Sequence, residues 1–408
     1  MHAQPPHHRL PMPHTIARPA PNAMPPPSAP HDARRLAQID LARQALAQHH
    51  LDSADTWLDP VVRRSWQRCQ ALGLQPQQRV VFKAVSDTAM RHALDHSRAL
   101  LAAATPVIHS LARAMADTRY FAILTNAQGI VINVHGPVDR HNPHAAHIAR
   151  LGLDLSEAAV GTTAIGTALT EQQPVWLHRG EHFFDGTTMY SCAGAPLLGP
   201  DGQCVGMLDL TGVDVPERRA LKHLVTQSAQ RIENALTLAQ PHHLLLRLNW
   251  PGHPLGDDSD GLVCADADGH ITGTNRAAAD MLNLPAGGPP LHCSDVFAIP
   301  TDALFDAASQ AHHPTEVPLW SGLRLQVAAH RRMDHSGHGG HSAPTSSNRS
   351  SVGHRPAPNP HLPLKEVETA LIRQAVSDAR GNVMEAARAL GISRATVYRK
   401  LHKPRSSS

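Results

Sequence analysis

Residues 190–212, "YSCAGAPLLGPDGQCVGMLDLTG", decide how the long middle part of this chain folds. Two apolar runs flank "GPDGQ" at 199–203, and a turn of that composition between such runs signals a β-hairpin. Upstream, "YFAILTNAQGIVINVHG" at 120–136 repeats the arrangement, with its bend at Asn126–Gly129. Between the hairpins, "GLDLSEAAVGTTAIGTALTEQQPVWLH" at 152–178 reads as a loop, a helix and a strand. Before them, residues 86–117 are helical by period, with Ala89, Ala93, Leu94, Leu100, Leu101, Val107, Ile108 and Leu111 recurring at helical spacing. Helices, a hairpin, a helix and a second hairpin describe an α+β domain on one antiparallel sheet.

Outward from this domain the composition changes. The first 33 residues are crowded with Pro and His, lack an apolar segment and read as a disordered tail rather than a signal peptide. Residues 34–79 form a helical lead-in segment containing "VVRRSWQRCQALGLQPQQ". After the sensor-like region 80–240, residues 244–332 carry "DGLVCADADGHITGTNRAAADMLNLP": a strand, a turn, a strand, and Asn275 leading into a helix. Residues 333–362 are rich in Gly, Ser, Pro and His and read as a flexible linker. His335, His338 and His341 lie in that tract, whose flexibility argues against a fixed metal site.

The C-terminus, 363–403, ends in "GNVMEAARALGISRATVYRKLHK". Asn382 with Glu385 forms a capping box, Gly391 stops that helix, and Ser393 caps the next. Ala387, Gly391 and Val397 have the spacing of a helix-turn-helix, completed by a third helix with Leu364, Val367, Leu371 and Ala375 on one face. From Gly391 to the end there are five Lys/Arg and no acidic residue. This stretch resembles the Fis-type helix-turn-helix of bacterial regulators, which implies that it binds double-stranded DNA. Ser393, Arg394, Thr396, Tyr398, Arg399, Lys400 and Lys403 would then meet base edges or phosphates.

The middle region carries a second resemblance. "SWQRC", "GTTAIGTAL", "GEHFF" and "CAGAPLLGPDGQCVGMLDLTG" resemble the sensor region of acetoin-catabolism-type regulators, which has a GAF fold. Two positions depart from that pattern: Thr163 stands where the family usually has Asn, and "CAGAPL" where it has "CSAAPI". The resemblance implies a small-molecule pocket, with Tyr120, Trp176, His182, Phe183, Tyr190 and Cys192 as the residues to line it. The 260–285 stretch resembles the opening of a PAS domain, where Cys264 and Cys293 read better as buried core than as cofactor ligands. The expected fold class is therefore α+β multidomain: a GAF-type antiparallel sheet with helices, a small PAS-like domain, and an all-α helix-turn-helix.

Composition narrows the function. A net charge of +3 over 408 residues makes the chain no general polyanion binder, so its basicity is local to the C-terminus. Five cysteines with no CxxC spacing fit free thiols in a reducing compartment, and no apolar run is long enough to span a membrane; a cytoplasmic location is expected. None of the five lysines follows a glycine, so the chain contains no P-loop. The expected protein is an effector-responsive transcription regulator without an ATPase, metal or cofactor. It would act as a homodimer on palindromic DNA, with RNA polymerase as a further partner. The apolar stripe Leu221, Leu224, Val225, Ser228, Ile232, Ala235 and Leu236 fits either pairing with a second copy or packing on its own sheet. Rival readings are a redox or haem sensor, a partner-only modulator of an ATPase-containing activator, and a GAF-type thiol reductase using Cys192 and Cys204.

Overall fold

The computed structural model describes residues 31–48, 57–309 and 314–331, all within the first of two compact units, Met1–His335. The linker at 333–362 and the helix-turn-helix at 363–403 lie outside the described residues. Two helices, α1 (His31–Ala47) and α2 (Pro60–Ala71), come first, then α3 (Asp87–His96) and α4 (Arg98–Ala114). Asp59 caps α2 by accepting from the Val61 amide, with Pro60 in the first turn, where its missing N–H costs nothing. The run that reads as one helix over 86–117 breaks at Ser97. α4 buries Leu100, Ala104, Ile108 and Leu111, whereas α3 buries only Ala93, so the two halves face different neighbours.

The first sheet contains β1 (Tyr120–Asn126), β2 (Val131–His135), β3 (Val175–His178), β4 (Tyr190–Leu198) and β5 (Cys204–Val213), in the order β2-β1-β5-β4-β3. All its pairs are antiparallel, and both expected hairpins, β1–β2 and β4–β5, are present. Between β2 and β3 lie α5 (Pro143–Ile148), α6 (Glu157–Val160) and α7 (Ala164–Glu171). The long helix α8 (Ala220–Leu238) follows β5.

Side chains alternate across this sheet, as the pleat requires. Phe121, Ile123, Val175, Leu177, Tyr190, Cys192 and Met207 belong to one core, shared with α1, α2, α5, α6 and α7. Tyr120, Ala122, Leu124, Trp176, Ala193, Ala195, Leu208 and Leu210 belong to the other, shared with α4 and α8. The sheet is thus covered on both faces. The α8 stripe Leu221, Val225, Ser228, Ala229, Ile232 and Leu236 is buried in this packing. Of its two expected uses, the structure shows packing on the chain's own sheet.

Residues 34–79 and 80–240 share one core. Trp66 is fully buried, and its indole donates to the Glu181 carbonyl at 2.8 Å. Ser65 sits between Glu157 Oε2 at 2.6 Å and Thr162 Oγ1 at 2.8 Å. Arg68 donates to Glu157 Oε1 and Glu171 Oε1, both at 2.6 Å, and Cys69 lies 3.4 Å from Thr162 Oγ1. Every residue of "SWQRC" except Gln67 therefore docks α2 onto α6, α7, the connection between them or the loop after β3. Gly166 permits the close approach of α6 and α7, since a Cβ there would lie 2.5 Å from the Glu157 nitrogen.

The second sheet is built from β6 (Leu244–Asn249), β7 (Gly261–Ala265), β8 (Ile271–Thr274), β9 (Thr315–Pro318) and β10 (Arg324–Arg331), in the order β8-β7-β6-β10-β9. Three helices complete it: α9 (Arg276–Leu282), α10 (Cys293–Val296) and α11 (Thr301–Ser309). As its sequence predicts, the β7–β8 turn uses Gly269 at φ +90°, and Asn275 caps α9 by accepting from Ala278 N. Cys264 and Cys293 are fully buried. Polar contacts stitch this sheet to the first: Arg276 pairs with the buried Glu233 at 2.8 Å, and Thr274 N donates to the Pro200 carbonyl at 2.8 Å. Asn275 Nδ2 also donates to Asn234 Oδ1 at 2.7 Å. The turn "GPDGQ" of the β4–β5 hairpin is therefore also a contact point for the second sheet.

Candidate functional site

On the sheet face that carries α2 and α5–α7, β4 and β5 present Tyr190, Cys192, Asp209 and Thr211 side by side. Cys192 pairs across the ladder with Thr211, and Gly194 with Asp209. A small cavity of about 10 Å³ lies above them, walled by Phe82, Ile148, Leu155, Thr163, Ala164, Ile165, His182 and Thr187. It holds little more than one water-sized group, so a larger guest requires a wall to move.

The polar groups in this cavity are arranged unusually. Asp209 is fully buried; its Oδ2 accepts from the Thr211 hydroxyl, while Oδ1 has no partner. Burial pushes its carboxyl up to about 7, and the Thr211 bond pulls the other way. His182 is buried too, with Nδ1 2.9 Å from the Arg179 carbonyl. A carbonyl only accepts, so Nδ1 carries the hydrogen, and Nε2, which has no partner, presents a lone pair. Burial lowers the His182 pKa to about 4, which keeps the ring neutral at ordinary pH. Tyr190 stacks obliquely on His182 with 6.2 Å between ring centres, and its hydroxyl donates outward to the His144 carbonyl at 3.1 Å.

His182 reaches the cavity from the segment after β3, which makes two short 3₁₀ turns at Arg179–Glu181 and Asp185–Thr187. α1 straps this segment from outside. Arg43 donates to the carbonyls of Gly180 (3.0 Å), His182 (2.8 Å) and Phe183 (3.3 Å), and pairs with Asp185. Arg35 pairs with Glu181, a fully buried carboxylate whose Oε2 also accepts from His178 N at 2.7 Å. Burial pushes Glu181 up to about 7, against the pull of Arg35 and His178 N. Replacing Arg43 by Met keeps the aliphatic stem but removes the bonds to three carbonyls. Amide hydrogen exchange at Phe183 and Asp185, which anchor the segment to Thr162 and Pro76, should then quicken by about tenfold or more, as a local opening about 1.5 kcal/mol easier would produce.

Three of the six expected ligand residues, His182, Tyr190 and Cys192, line the cavity. Phe183 is fully buried beside it, edge-on to Phe184 with 5.3 Å between ring centres, and does not line it. Tyr120 and Trp176 fall on the opposite face of the sheet, because each lies at an odd step from the inward positions of its strand. Asp209, Thr211, Phe82 and Thr187 are among the lining residues that were not expected. The signal for Asp209 is present in "VGMLDLTG": a lone acid in an apolar strand, two residues from the partner of Cys192. Of the two departures from the resembled pattern, Thr163 lines the cavity. Gly194 instead makes room for the Met207 Cε, which a Cβ at 194 would meet.

Cys192 and Cys204 do not form a redox pair. Cys204 lies opposite Leu198, six positions along β4 from Cys192, which is roughly 20 Å of strand and far beyond disulfide reach. Burial pushes the Cys192 thiol well up, Cys264 up to about 11 and Cys293 up to about 12, the reverse of a reactive thiol. No helix among the described residues is long and apolar enough to cross a membrane.

Comparison with known proteins adds a family to this geometry. Residues 29–234 match the family described as MimR, N-terminal domain, and residues 363–403 match the bacterial regulatory protein, Fis family. The second match contains all seven residues expected to contact DNA. The chain is similar to the acetoin catabolism regulatory protein of Cupriavidus necator, 29% identical over 256 residues, or 61% of this chain and 38% of that protein. It is also similar to the propane 2-monooxygenase operon transcriptional activator MimR of Mycolicibacterium smegmatis, 30% identical over 285 residues, or 63% of this chain and 46% of that protein. The aligned part thus spans less than half the length of either relative. Among solved structures, the E. coli DhaR(N)-DhaL complex matches with a TM-score of 0.41 at 16% identity, covering 67% of this chain and 100% of that one.

Proposed function

Since the chain belongs to the MimR N-terminal-domain family, we propose that it is an effector-responsive, DNA-binding transcriptional regulator with no catalytic step of its own. The observation that carries this reading is the Fis-family match at 363–403, on the same chain as a buried cavity with two unpartnered polar atoms. The effector enters the cavity above Asp209, in contact with His182, Tyr190 and Cys192. The helix-turn-helix binds operator DNA, with Arg394, Thr396 and Arg399 facing the major groove and Lys400 and Lys403 neutralising phosphates. Ser393 and Tyr398 complete the set of proposed DNA contacts in this segment. A homodimer places two such helices about 34 Å apart, the spacing of a palindrome read on one side of the duplex. With no glycine-lysine P-loop in the chain, regulation proceeds by occupying or recruiting at a promoter rather than by ATP-driven remodelling of polymerase.

The test is to sequence the genomic fragments that the purified protein retains at moderate salt. A palindromic site should be enriched, and Arg394→Ala should weaken binding to it by about 1–3 kcal/mol. Lys403→Ala should weaken binding to all sequences alike and flatten the salt dependence. Retention without any enriched sequence, unaffected by either substitution, would refute the assignment of the recognition helix.

A further inference from the structure

The cavity on β4 and β5 is asymmetric in its hydrogen bonding, and the asymmetry defines what fits it. Among the described residues four buried side-chain polar atoms lack a partner, and two of them, Asp209 Oδ1 and His182 Nε2, line this one cavity. With Asp209 ionised, both are acceptors: a carboxylate oxygen, and a ring nitrogen whose opposite nitrogen already donates to the Arg179 carbonyl. The lining hydroxyls of Thr187, Thr211 and Tyr190 donate elsewhere, to the Phe184 carbonyl, to Asp209 and to the His144 carbonyl. Apart from Thr163 and Cys192, the remaining walls are apolar. A buried acceptor without a donor is unfavourable, and a guest that brings donors removes that penalty, whereas one that brings further acceptors deepens it.

We propose that this cavity takes a small molecule bearing two hydrogen-bond donors on a short hydrocarbon frame, neutral or cationic, with one donor meeting Asp209 Oδ1 and the other His182 Nε2. The proposal rests on the reading of this cavity as the effector site and names the ligand's chemistry. Hydroxyl and amino groups both satisfy it. Carboxylates are excluded, because they would place a second negative charge beside the buried Asp209 with no cation lining the cavity. Thr163 adds a preference for hydroxyl: its oxygen accepts from Gly166 N, which leaves its hydrogen available to a ligand oxygen. The segment 179–188, which carries His182, moves outward as the ligand enters.

Calorimetric titration of the full-length protein with size-matched probes tests this directly. The probes are propane-1,2-diol and 1-aminopropan-2-ol, each with two donor groups, butanone with an acceptor only, and propanoate as the anion. The two-donor probes should bind at least about tenfold more tightly than the other two, the discrimination expected when a site's buried polar groups are left unpaired. The nitrogen-15 resonance of His182 Nε2, assigned by its loss in His182→Gln, should move upfield on binding as the lone pair accepts a hydrogen bond. Asp209→Asn should erase the preference for two donors. If butanone or propanoate binds as tightly and moves the His182 resonance, the cavity is a ligand site but its chemistry is not the one proposed. If no probe gives heat or moves that resonance, the cavity is not an effector site for small polar molecules and both readings fall. If the two-donor probes bind Asp209→Asn undiminished, the pairing with Asp209 is refuted.

Discussion

Trp66→Ala should destabilise the sheet-bearing unit by about 4–6 kcal/mol, enough to unfold many domains of ordinary stability. The indole is fully buried where α2 meets the loop after β3, and deleting a Trp from a packed core costs about 3–5 kcal/mol through lost burial and the cavity left behind. A further cost of about 1 kcal/mol arises because the Glu181 carbonyl loses its 2.8 Å indole bond. Denaturant unfolding of the purified variant, followed by tryptophan fluorescence and by circular dichroism, measures the loss. Trp66→Phe should recover most of the packing but not the hydrogen bond. A variant as stable as the wild type would mean that α2 is an appendage, not part of the sheet's core.

Asp209→Asn should act in the opposite direction, and its sign depends on pH. The wild-type carboxyl has a pKa near 7 in the fold against an ordinary value of 3.8, because burial disfavours its charged form. A raised carboxyl pKa contributes stability at low pH that is lost as pH rises from about 4 to about 7; above that the ionised group costs on the order of 4 kcal/mol. Asparagine escapes this cost but leaves an amide hydrogen pair unbonded, at about 1–2 kcal/mol. The variant should therefore be about 2 kcal/mol more stable than wild type at pH 8 and no more stable at pH 4. The other titratable groups lining the cavity do not interfere, since His182 is neutral above about 4 and burial raises both Tyr190 and Cys192. Glu181, also raised to about 7, titrates alike in both proteins and cancels in the difference. Thermal unfolding of the two proteins across pH 4–8 reads the effect. Equal pH profiles would mean that Asp209 is ionised in the fold without penalty, and that its carboxylate has a partner.

Much of this architecture is legible in the sequence, for a physical reason. The β4–β5 hairpin is announced by "GPDGQ" between apolar runs, and α9 by Asn275 after a turn at Gly269. Each is a local event in which a few residues fix the backbone. The ends of the helices are less legible: the break at Ser97 leaves the apolar period running through it and is dictated by which neighbours α3 and α4 meet. The site was half legible. Aromatic and histidine residues draw attention as ligand contacts, and three of the six lie at the cavity. Tyr120 and Trp176 face away because strand parity, not residue type, decides which side of a sheet a side chain serves. Parity also points to Asp209, which a search by residue type passes over because a single acid in a strand looks like a surface position. The cationic anchors of α1, Arg35 and Arg43, were not legible at all, since their partners lie about 140 residues further along the chain.

That distant strap has a consequence for sensitivity. Arg43 holds three carbonyls of the segment that closes the cavity, and Arg35 holds its buried glutamate, yet neither arginine lines the cavity. A guest admitted only when the segment lifts must work against this closed state, and its apparent affinity falls in proportion to the fraction of molecules that are open. If lifting costs about 2.7 kcal/mol, the concentration for half-occupancy rises about a hundredfold over that of the open form. On the proposed reading, the first helix would act as a tuning screw for the dose at which the protein responds, while β4, β5 and His182 would fix what it responds to. Substitutions along α1 would then shift that threshold over a wide range and leave the choice of ligand untouched.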